Sequence, residues 1–222
     1  MIELVVLDIA GTTVEEHQAV YVALAEAARA AGGDPTPAEI RRWMGADKRE
    51  ALAGLLDRDP ASVEDALADF RSRLAAKYAE TPPTLMPGVG EALGKLRANG
   101  VKVALTTGFD RTTTDSVLAL AGVDESIVDA VVTVDDVRAG RPAPYMIFKA
   151  MELTGVQSVE AVATVGDTVL DLEAGTNAGA AIVAAVLSGG GDAASLGAVR
   201  HTHLLPSVAE LPAVIASEYS TL

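Results

Sequence analysis

The chain opens on an almost unbroken apolar run, Leu4-Val5-Val6-Leu7, which carries Asp8 into the turn Gly11-Thr12-Thr13. Such a run, bounded by a glycine turn, predicts a strand buried on both faces with Asp8 at its carboxyl end. After Thr13 the apolar positions recur every three or four residues. Glu16–Ala31 carries Val20, Leu24 and Ala28 on one face and stops at Gly32-Gly33, and a shorter helix runs from Pro37 to Met44-Gly45. Asp47–Leu56 repeats Leu52, Leu55 and Leu56, and Ser62–Ala79 sets Ala66, Phe70, Leu74 and Tyr78 along one stripe. A helical stretch of about seventy residues is too long for an ordinary strand-to-helix connection, so it predicts an inserted domain. Thr81-Pro82-Pro83-Thr84 cannot continue a helix and reads as the return linker.

Strands and helices then alternate. Helices are expected over Gly88–Asn99, Asp110–Ala121, Ala143–Thr154 and Leu170–Ala178, and strands over Val101–Thr107, Ala130–Val134, Ala161–Val165 and Ala180–Leu187. This order predicts an α/β fold, a doubly wound parallel sheet with an inserted α-helical cap. The expected division is a core of residues 1–14 and 85–222 and a cap of residues 15–84. Gly189-Gly190-Gly191 lacks the spacing of a dinucleotide fingerprint and reads as a loop.

Composition narrows the partners. Half of the 222 residues are hydrophobic and only 4% aromatic, so small aliphatic side chains build the core. A formal net charge of −14 repels polyanions, which argues against nucleic acid and acidic membrane surfaces and leaves room for a small anion in a pocket. Cysteine is absent, which excludes thiol nucleophiles. Glu3 and Asp8 interrupt the first apolar run and Ala180–Leu187 is too short to span a bilayer, so a cytoplasmic protein is expected. Homodimerisation is left open.

Several expected strands end in a polar residue and a turn: Asp8, then Thr106-Thr107-Gly108, then Gly166-Asp167-Thr168. In a parallel sheet these ends share one edge, where ligands bind. Asp8 alone could cap the next helix. Asp8, Asp167 and Asp171 together make a hard oxygen site suited to Mg²⁺. Gly140-Arg141-Pro142-Ala143-Pro144 offers a cation on a proline-stiffened loop, although with 31 acidic residues in the chain Arg141 could instead pair at the surface. His201 and His203 lack a third ligand and read as a strand edge, and Trp43 as part of the cap.

In this order the motifs resemble the haloacid dehalogenase superfamily of phosphohydrolases across essentially the whole core. The resemblance implies that Asp8 is a nucleophile accepting the phosphoryl group, and that Thr106, with Thr107 and Gly108 in its turn, binds phosphoryl oxygens. Arg141 then supplies the third motif's cation. Mg²⁺ would be held by Asp8, by the backbone carbonyl of Ala10 and by Asp167, with Asp171 nearby in the same acidic motif.

Ala10 departs from most phosphatases of the superfamily, which carry there an aspartate that protonates the leaving oxygen; alanine transfers no proton. Asp8-Ile9-Ala10-Gly11-Thr12 with Arg141 resembles one branch, the phosphonatases and phosphonatase-like hydrolases. That branch cleaves a P–C bond, using a cap lysine whose imine accepts the electrons. Met44-Gly45-Ala46-Asp47-Lys48 matches its spacing, which implies a Schiff-base role for Lys48 and substrate contacts for Met44 and Gly45. Lysines at such turns elsewhere in the superfamily only contact substrate. Two positions depart from the branch: Ala51 stands where it has a histidine, and Ile9 where it has an aromatic residue. Asp47 is expected to raise the Lys48 pKa and Arg49 to lower it. The expected activity is Mg²⁺-dependent cleavage of a small phosphonate. The alternatives are a phosphomonoesterase acting on a phosphorylated metabolite, a haloacid dehalogenase, and a non-catalytic phosphometabolite-binding module.

Overall fold

The structure, a computed structural model, describes residues 1–219. Strand β1 (Leu4–Asp8) is buried along its whole length. Its alternating side chains feed two different cores, Val5 and Leu7 on one face and Leu4 and Val6 on the other, which is why the sequence shows a run and not an alternation.

Next come β2 (Val14–Glu15) and the helices α1 (Ala19–Ala30), α2 (Pro37–Arg42), α3 (Lys48–Leu56) and α4 (Glu64–Glu80). Strand β3 (Thr84–Leu85) follows and pairs antiparallel with β2, Val14 facing Leu85. Both connections to the four-helix insert therefore run side by side. The rest of the chain is α5 (Val89–Ala98), β4 (Lys102–Thr106), α6 (Arg111–Ala121), β5 (Ala130–Val132), α7 (Tyr145–Thr154), β6 (Val162–Gly166), α8 (Val169–Ala178), β7 (Ile182–Val186), α9 (Ala193–Gly197), β8 (His203–Leu205) and α10 (Leu211–Tyr219).

Among the described residues the main sheet has six parallel strands in the order β5-β4-β1-β6-β7-β8. Strands are added on one side of β1 and then on the other, so the crevice at the carboxyl ends of β1, β4 and β6 is a topological switch point. Register sets the neighbours there: Asp8 lies beside Thr106, and Leu7 beside Val165. The insert joins the core physically, since Leu24, Leu52, Phe70 and Leu74 belong to the same buried cluster as Val5, Leu7 and Leu93.

Several elements differ from the sequence expectation. Helix α1 begins at Ala19 and not at Glu16: Val14 and Glu15 pair in β2, His17 and Gln18 take positive φ, and the Glu16 carboxylate accepts the Val20 N–H at 2.8 Å. Helix α2 ends at Arg42, short of Met44-Gly45. Asp47 is the N-cap of α3, accepting from the Arg49 and Glu50 amides, and not its first residue. Periodicity had not marked α9, β8 and α10; His203 does open an edge strand. Among the described residues no helix is long and apolar enough to cross a membrane.

Candidate active site

The carboxyl ends of β1 and β6 deliver Asp8 and Asp167, and the first turn of α8 adds Asp171; all three are buried. One carboxylate oxygen of each lies within 4.8 Å of the others. Into this cluster the loop before α7 extends Arg141, itself 6% exposed. Its Nη1 meets Asp8 Oδ1 at 2.6 Å and its Nε meets Asp171 Oδ1 at 2.9 Å. Its Nη2 donates to the Thr106 carbonyl at 2.9 Å and to the Thr106 hydroxyl at 2.8 Å. Arg141 is thus buried among acids, not paired at the surface, and a planar guanidinium suits such a multidentate position better than an ammonium.

Three buried carboxylates share one guanidinium, and the excess negative charge shows in their acidities. Burial, opposed by Arg141 and reinforced by Asp171, pushes the Asp8 pKa up to about 7. Burial together with Asp8 and Asp171 raises Asp167 well above the usual carboxylate range. A divalent cation would offset this charge, and the donor set is hard oxygen throughout, so these residues fit such an ion. Asp8 and Asp167 are the better placed to hold it. The Asp171 carboxylate also accepts from the Thr168 amide at 3.0 Å and the Thr168 hydroxyl at 2.5 Å, closing a capping box at the start of α8. Asp171 therefore orients Arg141.

Asp167 is itself steadied from two sides. The Thr12 hydroxyl donates to its Oδ1 at 3.0 Å, and the Gly190 amide to its Oδ2 at 2.8 Å. The glycine-rich loop is thus part of the site, held also by Ser188 Oγ donating to the Gly11 carbonyl at 2.9 Å. A Cβ at Gly189 would strike the Asp167 carboxylate, and one at Gly190 would strike Met44 of the insert. Only the lack of fingerprint spacing was visible in sequence; the three consecutive glycines were the signal for close approach.

The insert reaches the same edge through Met44, Gly45, Ala46 and Lys48. Gly45, at φ +78°, leaves no room for a side chain against Thr168, and its carbonyl accepts from Arg141 Nη1 at 3.5 Å. Gly108 fits directly under the Gly45 and Ala46 carbonyls, where any Cβ would collide. Thr107 is buried, and its hydroxyl accepts from the Phe109 amide at 3.2 Å, so it shapes the turn. Lys48 is buried, donates from Nζ to the Ala46 carbonyl at 2.6 Å, and sits 5.3 Å from the centre of the Phe109 ring. Burial lowers its pKa to about 8, against the raising effects of Asp47 and Asp8. Arg49, expected to lower it, pairs instead with Glu64, and Arg141 is the cation that acts on Lys48.

Ala10 lines a small cavity of about 80 Å³ with Glu16, Tyr21, Asp167 and Gly189. Glu16 and Tyr21 were not singled out from the sequence, where both look like ordinary residues at a helix start. Ala51 and Ile9 are fully buried and belong to the apolar core. Larger clefts of about 400 and 650 Å³ meet at Arg41, Met44 and Gly190 and open between the insert and the core.

Known hydrolases resemble the chain in sequence and in fold. A family model of haloacid dehalogenase-like hydrolases matches residues 2–179. A phosphonoacetaldehyde hydrolase of Parabacteroides distasonis is 37% identical over 131 residues, 58% of this chain; the chain spans about half, 49%, of that relative's length. One of Bacillus cereus is 34% identical over 203 residues, 84% of this chain and 76% of the relative. Among solved structures, a phosphonoacetaldehyde hydrolase like protein from Oleispira antarctica has a TM-score of 0.79 at 26% identity, covering 97% of this chain and 92% of that one.

Proposed function

The chain belongs to the haloacid dehalogenase-like hydrolases, in their phosphonatase-like branch, and from that premise we propose that it is a Mg²⁺-dependent hydrolase of a small phosphonate. The substrate is phosphonoacetaldehyde or a close relative, cleaved at its P–C bond through an aspartyl-phosphate at Asp8. The insert α1–α4 acts as a cap over the site. The observation that carries this reading is Lys48: a buried amine brought by the cap to the nucleophile's edge of the sheet, with a pKa near 8.

A carbanion cannot leave phosphorus unaided, and a lysine imine is an electron sink. With its pKa lowered by burial, Lys48 has a neutral fraction able to add to the aldehyde carbonyl. Asp8 Oδ then attacks phosphorus, and the electrons of the P–C bond pass into the iminium to give an enamine on Lys48. The Thr106 hydroxyl holds a phosphoryl oxygen, while Arg141, its N–H groups taken by Asp8, Asp171, Thr106 and Gly45, offsets negative charge and keeps the nucleophile aimed. Asp8, the Ala10 carbonyl and Asp167 would hold Mg²⁺, which would supply the positive charge that lets two anions approach. The enamine takes a proton on its terminal carbon and returns to an iminium, and water then releases acetaldehyde from Lys48 and phosphate from Asp8.

Borohydride tests the assignment. Reduction in the presence of phosphonoacetaldehyde should inactivate the enzyme and leave a two-carbon adduct on the peptide carrying Lys48, and Lys48→Arg should lose P–C cleavage almost completely. A phosphomonoesterase would instead release phosphate from esters, form no adduct, and respond to Lys48→Arg mainly through KM.

A further inference from the structure

Helix α1 packs Val20, Ala23, Leu24, Ala27 and Ala28 into the core. A second set of its residues at helical spacing, Tyr21, Val22, Ala25 and Arg29, lines the cleft of about 400 Å³. Pro37, Ile40, Arg41 and Met44, likewise three or four apart, form the other wall from α2 and the turn after it. The cleft therefore runs along α1 from its first turn to its last, from Tyr21 to Arg29, about 12 Å of helix rise.

At its Tyr21 end the cleft meets the catalytic edge. Gln18, Tyr21 and Gly190 line both this cleft and the cavity of about 80 Å³ that holds Ala10 and Asp167. Gly190 fixes the junction: its amide donates to Asp167 Oδ2 at 2.8 Å, and a Cβ there would lie 3.6 Å from the Tyr21 ring. Away from that end Val22, Ala25, Pro37 and Ile40 make the lining apolar. Val22 is 44% exposed, an apolar side chain left open to the cleft. The charged residues have partners of their own. Glu26 pairs with Arg73 and Lys77, Arg29 donates to the Pro35 carbonyl at 3.3 Å, and Arg41 shares the larger cleft with Asp192.

We propose that this cleft is the subsite for the organic half of the substrate, and that the substrate class is a phosphonate whose organic half continues as an apolar chain beyond the carbons that react. The inference rests on the phosphonate reading above. The volume and the mostly apolar lining are those of a small-molecule site. With the phosphoryl group fixed at the sheet edge, a chain that passes Tyr21 exchanges water for the walls of α1 and α2. Each methylene that does so adds to affinity.

The test uses the full chain loaded with Mg²⁺ and measures, by calorimetry, the Kd of methyl-, butyl- and hexylphosphonate, which carry no carbonyl and need no reaction at Lys48. Kd should fall by about three-fold for each added methylene. Ala25→Phe, which fills the cleft half-way along α1, should remove that gain and bring hexylphosphonate to the Kd of methylphosphonate. Val22→Ser, at an exposed position that folding tolerates, should weaken hexylphosphonate by about five-fold. Affinity that does not rise with chain length, or a rise that survives both substitutions, would overturn the subsite. That result would leave the P–C chemistry standing, since phosphate release from phosphonoacetaldehyde reads it separately. Chain-dependent binding without such release would instead sink the P–C reading and keep the cleft as the site of the apolar chain.

Discussion

Along the sheet edge, Arg141 meets Asp8, Asp171 and Thr106 at 2.6–2.9 Å, and Asp167 is gripped by Thr12 and Gly190. Across from it, the cap side carries less cross-linking: Lys48 donates to one backbone carbonyl, and Met44, Gly45 and Ala46 meet the core through close contacts with Gly190, Thr168 and Gly108. The sheet side is built by strand register and a charged network, so its geometry exists before any ligand arrives. The cap side is built by shape and by exclusion of water. A phosphoryl group of constant shape suits the first kind of wall, and a variable organic half the second.

The deepest break on the sheet side is Asp8→Asn, which is nearly isosteric and removes the proposed nucleophile. Turnover measured by phosphate release should fall by at least about four orders of magnitude, with circular dichroism unchanged; full activity would remove Asp8 from the chemistry. Next comes the charge balance. Chelation with EDTA should abolish turnover and Mg²⁺ should restore it, while Asp167→Asn should raise the Mg²⁺ needed for half-maximal rate by about 10- to 100-fold. A rate indifferent to chelator would contradict the metal reading of the three carboxylates.

A smaller effect is expected where the two walls touch. Gly108→Ala places a methyl group against the Ala46 carbonyl. Holding the cap slightly open should cut kcat/KM by about 10- to 100-fold and leave the Mg²⁺ dependence as in wild type. Smallest is a stability effect. Burial lowers the Lys48 pKa from 10.5 to about 8, so the charged amine is held at a cost. Lys48→Met should therefore raise stability at pH 7 by on the order of 1–3 kcal/mol, read as a higher Tm. The folded state gives up this proton near pH 8 and the unfolded chain only near 10.5, so wild-type stability from this group climbs as pH rises between those values. The advantage of Lys48→Met is whole below pH 8 and fades over the same window.

The same contrast decides what could be read from the sequence. Asp8, Thr106 and Asp167 were legible because strands in a parallel sheet point their carboxyl ends to one edge, and the order of motifs was enough to bring them together. Lys48 was singled out by its resemblance to the branch's cap motif, but the balance of its acidity was misjudged: the expectation set Asp47 against Arg49, whereas burial dominates and Arg49 turns away to Glu64. Glu16 and Tyr21 were missed because the backbone leaves helical geometry at His17 and Gln18, both at positive φ, before α1 begins. Neither residue type announces that conformation. The glycine loop at Gly189-Gly190-Gly191 was noticed and set aside, since nothing local says that Asp167 and Met44 press against it from either side.

Val14–Glu15 and Thr84–Leu85 lie next to each other as antiparallel partners, so the segment between them leaves and rejoins the core at almost the same point. An insertion whose ends already touch needs little rearrangement of the chain on either side. The core can be expected to accept a foreign module of different size spliced between Glu15 and Thr84, provided that the module's own termini are adjacent and that it offers an apolar face in place of Leu24, Leu52, Phe70 and Leu74 of the shared cluster. A graft of that kind would give a chain that keeps the carboxylate cluster of its sheet edge but meets its substrates with borrowed walls, and the two-stranded ribbon marks where the seams belong.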